Sequence, residues 1–315
     1  MLKNEPFKYI AISIILILNI FGNSIYFPVS LQVILHTILL VYLGSIYSVK
    51  LYDVKVEREV ETMKQKDAWM FPVYGSAVLF GLFMVFKLFN KEYINVLFHV
   101  YFSFLGTYST ASLFYERLIN IEELKKLTNM TIFTIPPIPY LNDKETKIDA
   151  LNVVTLVIGA YFGFGYFFFK NWVTNNFLGI AFSIFGIEHF SLGQYKVGFI
   201  LLGLLFFYDI FWVFFTPVMV GVAKNLDGPI KLMFPKKLDW AAPEDFNMIG
   251  LGDIVIPGVY VALMLRFDII KYMRKNNKKE VPFSFKNCKY FILAIIGYAV
   301  SIIMTIVVMN VFKAA

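Results

Sequence analysis

The chain has 315 residues, 58% of them hydrophobic and 16% charged, with a formal net charge of +7. Soluble domains carry roughly half and a quarter, so the composition excludes most soluble folds and supplies enough apolar residues for about eight stretches of the ~20 that a bilayer crossing needs. The single cysteine, Cys288, excludes an internal disulfide, and without Cys/His ligand spacing no metal site is expected. The basic residues stand in short polar stretches between apolar runs, which is a membrane pattern rather than a nucleic-acid footprint.

In chain order, 41 uncharged residues separate Lys8 from Lys50, with Gly22-Asn23-Ser24 and Pro28 in the middle. That run is too long for one crossing and divides in two. Its first part, within residues 1–27, follows Lys3 and Lys8 and has a short apolar core, the pattern of a signal peptide or signal anchor. Eight spans follow, near 30–49, 68–88, 93–115, 150–169, 171–190, 197–219, 246–266 and 290–312. No internal repeat is evident, and residues 28–315 read as a single membrane domain. The expected fold is an all-α membrane protein, a polytopic bundle of about eight transmembrane helices behind the signal-like segment.

With the boundary residues Lys87 and Arg266 counted in the connections, those after the first, third, fifth and seventh spans hold nineteen lysines and arginines, and those after the other four hold eight. The positive-inside tendency places the first set in the cytosol. The mature N-terminus and the 224–245 connection then face the lumen.

Ionisable residues inside spans are costly and mark functional sites. Two acids stand deep inside the apolar runs, Asp209 and Asp253, neither with a lysine or arginine within its own uninterrupted run, which for Asp253 ends at Leu265. Asp209 lies 13 residues after Lys196 and Asp253 lies 13 before Arg266, so both carboxyls sit roughly 20 Å from one boundary on antiparallel neighbours. Two carboxyls at that proximity share a proton and titrate as a pair, and one can activate water while the other protonates a substrate carbonyl. Gly250 and Gly252 are expected to allow close backbone approach, and Tyr208 to offer a hydroxyl within the site. The competing reading is a proton- or ion-coupled transporter built on the same two acids, against which no related halves are found. Neither chemistry needs a cofactor.

Other polar residues rank lower. His36 and His99 are expected to be satisfied interhelical hydrogen-bond partners. Glu188-His189 falls at a hydrated boundary. Asp227, Asp239, Glu244 and Asp245 are expected to be solvated charges, and Met248 and Met264 packing residues.

Tyr208-Asp209 followed by Gly250-Leu251-Gly252-Asp253 resembles the Tyr-Asp and Gly-x-Gly-Asp pair of intramembrane aspartyl proteases. Asn175-Asn176-Phe177-Leu178-Gly179-Ile180-Ala181-Phe182-Ser183, Pro229-Ile230-Lys231-Leu232, Val255-Ile256-Pro257-Gly258 and Leu265-Arg266-Phe267-Asp268 narrow the resemblance to the signal peptide peptidase family. The likeness runs from about Leu31 to the end and is strongest over 171–268. It implies that Asp209 and Asp253 are the catalytic pair, supported by Tyr208, Gly250, Leu251 and Gly252. It also implies transmembrane helical peptide substrates of type II orientation, notably signal peptides left after signal peptidase cleavage, cut in the bilayer of the endoplasmic reticulum. A homo-oligomer stays open, and nucleic acid is not an expected partner. The family continues with a ninth span that opens with Pro-Ala-Leu. This chain stops at Val311-Phe312-Lys313-Ala314-Ala315, where that motif is expected to begin, so it is expected to be a piece of a longer one.

A substrate helix hides its carbonyls in internal hydrogen bonds and must unwind before water attacks. The apolar stretch 229–234, bounded by helix breakers, is expected to form a strand that pairs with the unwound segment, or else an ordinary surface connection.

Overall fold

A computed structural model of the chain describes residues 2–3, 7–21, 28–51, 62–119, 121–136, 145–236, 245–277, 281–284 and 286–312. In chain order its elements are β1 (Leu2–Lys3), α1 (Phe7–Phe21), α2 (Val29–Leu51), β2 (Thr62–Met63), α3 (Gln65–Leu88), α4 (Lys91–Leu118), α5 (Glu122–Lys125), β3 (Thr131–Ile135), β4 (Thr146–Asp149), α6 (Ala150–Phe169) and α7 (Trp172–His189). They continue with β5 (Ser191–Leu192), α8 (Tyr195–Asp209), α9 (Val218–Asn225), β6 (Lys231–Pro235), β7 (Phe246–Gly250), α10 (Gly252–Asn276), β8 (Val281–Pro282) and α11 (Lys289–Phe312).

Among the described residues, five stretches are long and apolar enough to cross a bilayer: Val29–Val49, Gln65–Leu88, Ala150–Phe169, Tyr195–Phe214 and Lys289–Val311. Helices α4, α7 and α10 have 28, 18 and 25 residues and reach roughly 42, 27 and 38 Å at ~1.5 Å per residue. Helices α4 and α7 fall short only in hydropathy and α10 only in its charges, because each carries polar groups that it buries: His99, Ser103 and Thr110 in α4, Asn175, Asn176 and Glu188 in α7, Arg266 and Asp268 in α10. The expected all-α membrane bundle is therefore what the chain forms.

Helix α2 is its centre. Of its span 56% is buried, against 6% for α3 and 11% for α11, so the latter two present most of their surface to lipid. Leu40, Val41, Leu43 and Ile46 of α2 share one core with Ile187 of α7, Ile254, Val261 and Leu265 of α10, and Phe291 of α11. A side chain on Gly44 of α2 would come within 2.7 Å of Ile187, and one on Gly258 of α10 within 2.5 Å. Ile187 therefore locks three helices by filling the room between two glycines. Helix α6 packs along α4 in the same manner: Gly159 and Gly163 lie directly on Thr107 and Ser103 of α4, a small-residue contact that lets the backbones touch. Ala11 and Ile15 of α1 join the α2 core, and Asn19 is buried with them.

The connections sort onto two ends, as alternate crossings require. At one end β2 pairs in parallel with β5, Arg266 donates to the Ser191 hydroxyl at 3.1 Å, and Arg117 at the end of α4 meets Glu188 at the end of α7 at 3.0 Å. At the other end Asn95 of α4 donates to the Asn225 carbonyl at 3.0 Å and accepts the Asp227 N–H at 3.2 Å. The connection between α5 and α6 carries a small antiparallel pair, β3 with β4.

Two spans differ from the sequence expectation. Residues 246–250, read as the start of a span, are strand β7, and the helix begins at Gly252; their apolar side chains serve a hairpin instead. The 197–219 span is α-helical without interruption only to Asp209. A π-helical turn, Ile210–Phe214, follows it and breaks before Pro217, whose ring nitrogen has no hydrogen to continue the ladder.

Candidate active site

Helices α8 and α10 run antiparallel, since the first turn of α8 lies at the end where Arg266 closes on Ser191. They interlock through Val197, Leu201 and Leu205 of α8 and Val255, Val259 and Leu263 of α10, and the Gly198 backbone lies against the Tyr260 ring. Counting along each helix from Leu201 and Val259, Asp209 lies roughly 12 Å and Asp253 roughly 9 Å further toward the opposite end. The two carboxyls are within electrostatic reach of each other. Both are exposed, so the flank of the bundle that carries them is open to an incoming segment.

Asp209 is the last residue of α8, immediately before the π-helical turn, a feature often found at functional sites. That turn is tethered to α3: the Trp212 indole N–H donates to the Ser76 hydroxyl at 3.0 Å. Asp253 sits in the first turn of α10, where main-chain N–H groups lack helical partners.

Gly250 and Gly252 do not mediate helix packing, contrary to expectation. The nearest group to a side chain at Gly250 would be the Asp253 Oδ2, at 3.5 Å, and at Gly252 nothing lies within 4 Å. One glycine leaves room for the carboxylate and the other opens space beside it. Leu251 points toward Gly179 of α7 and packs against the α2 core. Tyr208 lies over Gly75 of α3 and near the Trp212 ring. The hydrogen bond expected of its hydroxyl within the site is not made among the described residues.

The approach to Asp253 is a hairpin. Strands β6 and β7 pair antiparallel, Leu232 opposite Ile249 and Phe234 opposite Asn247, and the pairing runs on through Leu251 N–H to the Ile230 carbonyl at 2.8 Å. The main-chain groups of Lys231 and Met233 point the other way and are taken by α7. Asn175 donates to the Lys231 carbonyl at 2.8 Å, and Asn176 donates to the Met233 carbonyl at 2.7 Å while accepting its N–H at 2.8 Å. The strand expected over 229–234 exists, but both its edges are filled. The edge free of strand partners among the described residues is that of β7, at Phe246, Met248 and Gly250. Outside the spans, burial pulls the Lys231 ammonium below the usual lysine range, with Asp227 opposing.

His36, His99 and Glu188 fall differently from expectation. His36 bonds within its own helix, to the Gln32 carbonyl at 2.9 Å, and lies edge-on to Phe234 at 5.0 Å. His99 approaches exposed Asp227 at 3.2 Å. Glu188 is not hydrated: it is 2% exposed and held by Arg117. Met264 is partly buried and Met248 exposed on the hairpin. Asp239 and Glu244 lie outside the described residues.

The sequence family described as signal peptide peptidase matches residues 55–315. The chain belongs to that family. Signal peptide peptidase of Mus musculus and of Homo sapiens are each 37% identical over 297 residues, covering 90% of this chain and 74% of theirs. Intramembrane protease 2 of Caenorhabditis elegans is 37% identical over 199 residues, 62% of this chain and 40% of its own. No solved structure matches. The protein is an intramembrane aspartic endopeptidase, and these relatives lend no support to the transporter alternative. In the sequence Asn175 and Asn176 carry only the family likeness; two adjacent amides inside an apolar span are the signal that they hold something.

Proposed function

We propose that Asp209 and Asp253 are the catalytic groups of this peptidase. The observation behind the reading is their convergence at similar depth on antiparallel neighbours, on an open flank. The ionised member takes a proton from water, whose oxygen attacks the scissile carbonyl carbon; the protonated member gives its proton to the carbonyl oxygen. Collapse of the resulting diol breaks the C–N bond as the amine nitrogen is protonated. Tyr208, Gly250, Leu251 and Gly252 shape the surroundings.

An unwound substrate segment has free main-chain groups, and the edge of β7 at Phe246, Met248 and Gly250 offers complementary ones within a few residues of Asp253. The substrates are membrane-spanning helical peptides; by analogy with the relatives' name they include signal peptides, and the family resemblance adds other type II segments. The lysine and arginine asymmetry supports a lumenal mature N-terminus, and the family supports the endoplasmic reticulum membrane. Residues 28–315 act as one protease domain. The chemistry permits a homo-oligomer without requiring one.

The test is cleavage of a labelled transmembrane peptide by the complete protein in liposomes. Asp209→Asn and Asp253→Asn should each lower the rate by about a thousandfold or more with thermal unfolding unchanged. Cleavage surviving either change in a folded protein would refute the assignment.

A further inference from the structure

In an α-helix the carbonyl of residue i accepts from the N–H of residue i+4, and proline has no N–H to give. Pro257 stands four residues after Asp253 inside α10. The main-chain carbonyl of Asp253 is therefore deprived of its own helical donor by the sequence itself. A donor reaches it from another helix: the Tyr298 hydroxyl of α11 donates to the Asp253 carbonyl oxygen at 3.1 Å. Tyr298 is 8% exposed, and a phenol in such a setting needs a partner.

The bond falls where the backbone has least support of its own. Gly250 and Gly252 flank this first turn of α10 and leave it conformationally permissive, and no side chain crowds Gly252. A helical bond would tie Asp253 to the next turn of its own helix. The bond from Tyr298 ties it instead to α11.

We propose that Tyr298 is a positioning residue for Asp253: its hydroxyl replaces the donor that Pro257 withholds and so fixes the turn that aims the Asp253 carboxyl. The proposal rests on the catalytic reading of Asp253 given above. It makes the value of one hydroxyl depend on the identity of residue 257.

The test is a double-variant comparison in the complete protein, with a labelled transmembrane peptide as substrate. Tyr298→Phe should lower kcat about tenfold with KM within about twofold. In a chain that carries Pro257→Ala, the new main-chain N–H supplies the helical bond, so adding Tyr298→Phe there should cost less than about threefold. Loss of packing around the ring would persist in both backgrounds and cannot produce that difference. Equal losses in the two backgrounds, a loss below about fivefold with Pro257 present, or an effect confined to KM would each overturn the proposal. If Tyr298→Phe alone does not fold, the two proteins that carry Pro257→Ala decide: a difference below about threefold supports the role and a larger one overturns it. Asp253→Asn measured alongside separates the two claims. Cleavage that survives it removes the catalytic reading and this proposal together. Cleavage abolished by Asp253→Asn but indifferent to Tyr298→Phe overturns the positioning role alone.

Discussion

Asn176 holds Met233 by both of its main-chain groups, donating to the carbonyl at 2.7 Å and accepting the N–H at 2.8 Å. An asparagine side chain thus plays the part of a third strand beside β6, and a helix supplies it. Because β6 pairs with β7, and β7 leads through Leu251 directly into the turn that carries Asp253, the grip sets the position of the hairpin relative to α7.

Asn176→Ala leaves two part-buried main-chain groups unsatisfied and should destabilise the hairpin by about 2–3 kcal/mol. Amide hydrogen exchange at Leu232 and Phe234 should accelerate by about thirtyfold or more, and cleavage should fall while the α2 core stays protected. Asn176→Asp keeps the acceptor and loses the donor, so its effect should lie between. Unchanged exchange in β6 would mean that the strand pairing alone holds the hairpin.

The two aspartates and the spans were legible because hydropathy and charge depend on residue type alone, and a carboxyl inside an apolar run stands out whatever surrounds it. The hairpin was not. Phe246, Met248 and Ile249 are as apolar as a span entry, and only the pairing with Lys231–Pro235 makes them a strand. The π-helical turn after Asp209 was hidden for a similar reason: Pro217 signals a break, but which residues absorb it depends on the Trp212 tether to Ser76. Glu188 was read as hydrated from its place at a boundary, whereas its partner Arg117 lies 71 positions earlier and meets it only in the folded bundle. Asp268, quoted only as part of a motif, accepts the Phe291 N–H at 2.9 Å and so caps the first turn of α11, another long-range partnership that spacing does not reveal.

Gly250 and Gly252 should respond differently to substitution. A methyl group at Gly250 would stand in contact with the Asp253 carboxylate, 3.5 Å from Oδ2, whereas one at Gly252 meets no atom within 4 Å. Gly250→Val should therefore act on the carboxyl and lower kcat about tenfold or more. Gly252→Val should leave thermal stability within ~1 kcal/mol and raise KM by filling room the substrate needs. Identical kinetic signatures for the two variants, measured on one transmembrane peptide, would contradict the separate roles assigned to them.

At the end of the bundle opposite the hairpin, Arg117 lies flat over the Tyr47 ring at 3.7 Å, donates to the Leu113 carbonyl at 3.0 Å and meets Glu188 at 3.0 Å. It joins α4, α2 and α7 at one point, and Glu188 is almost wholly shielded. Removing the cation leaves that shielded carboxyl beside Glu116, which also lies 3.6 Å from Arg117, with no charge to balance either, so Arg117→Met should destabilise the fold by about 3–5 kcal/mol. Replacing both partners removes the charge along with its need: Arg117→Met with Glu188→Leu should recover most of the loss, since buried pairs are often matched by apolar residues of similar volume. Thermal unfolding in detergent micelles measures both, and kcat per folded molecule should stay within about twofold because the contact lies far from either aspartate. A double variant as unstable as Arg117→Met alone would show that the stacking of Arg117 on Tyr47, rather than its pairing with Glu188, is what binds the three helices.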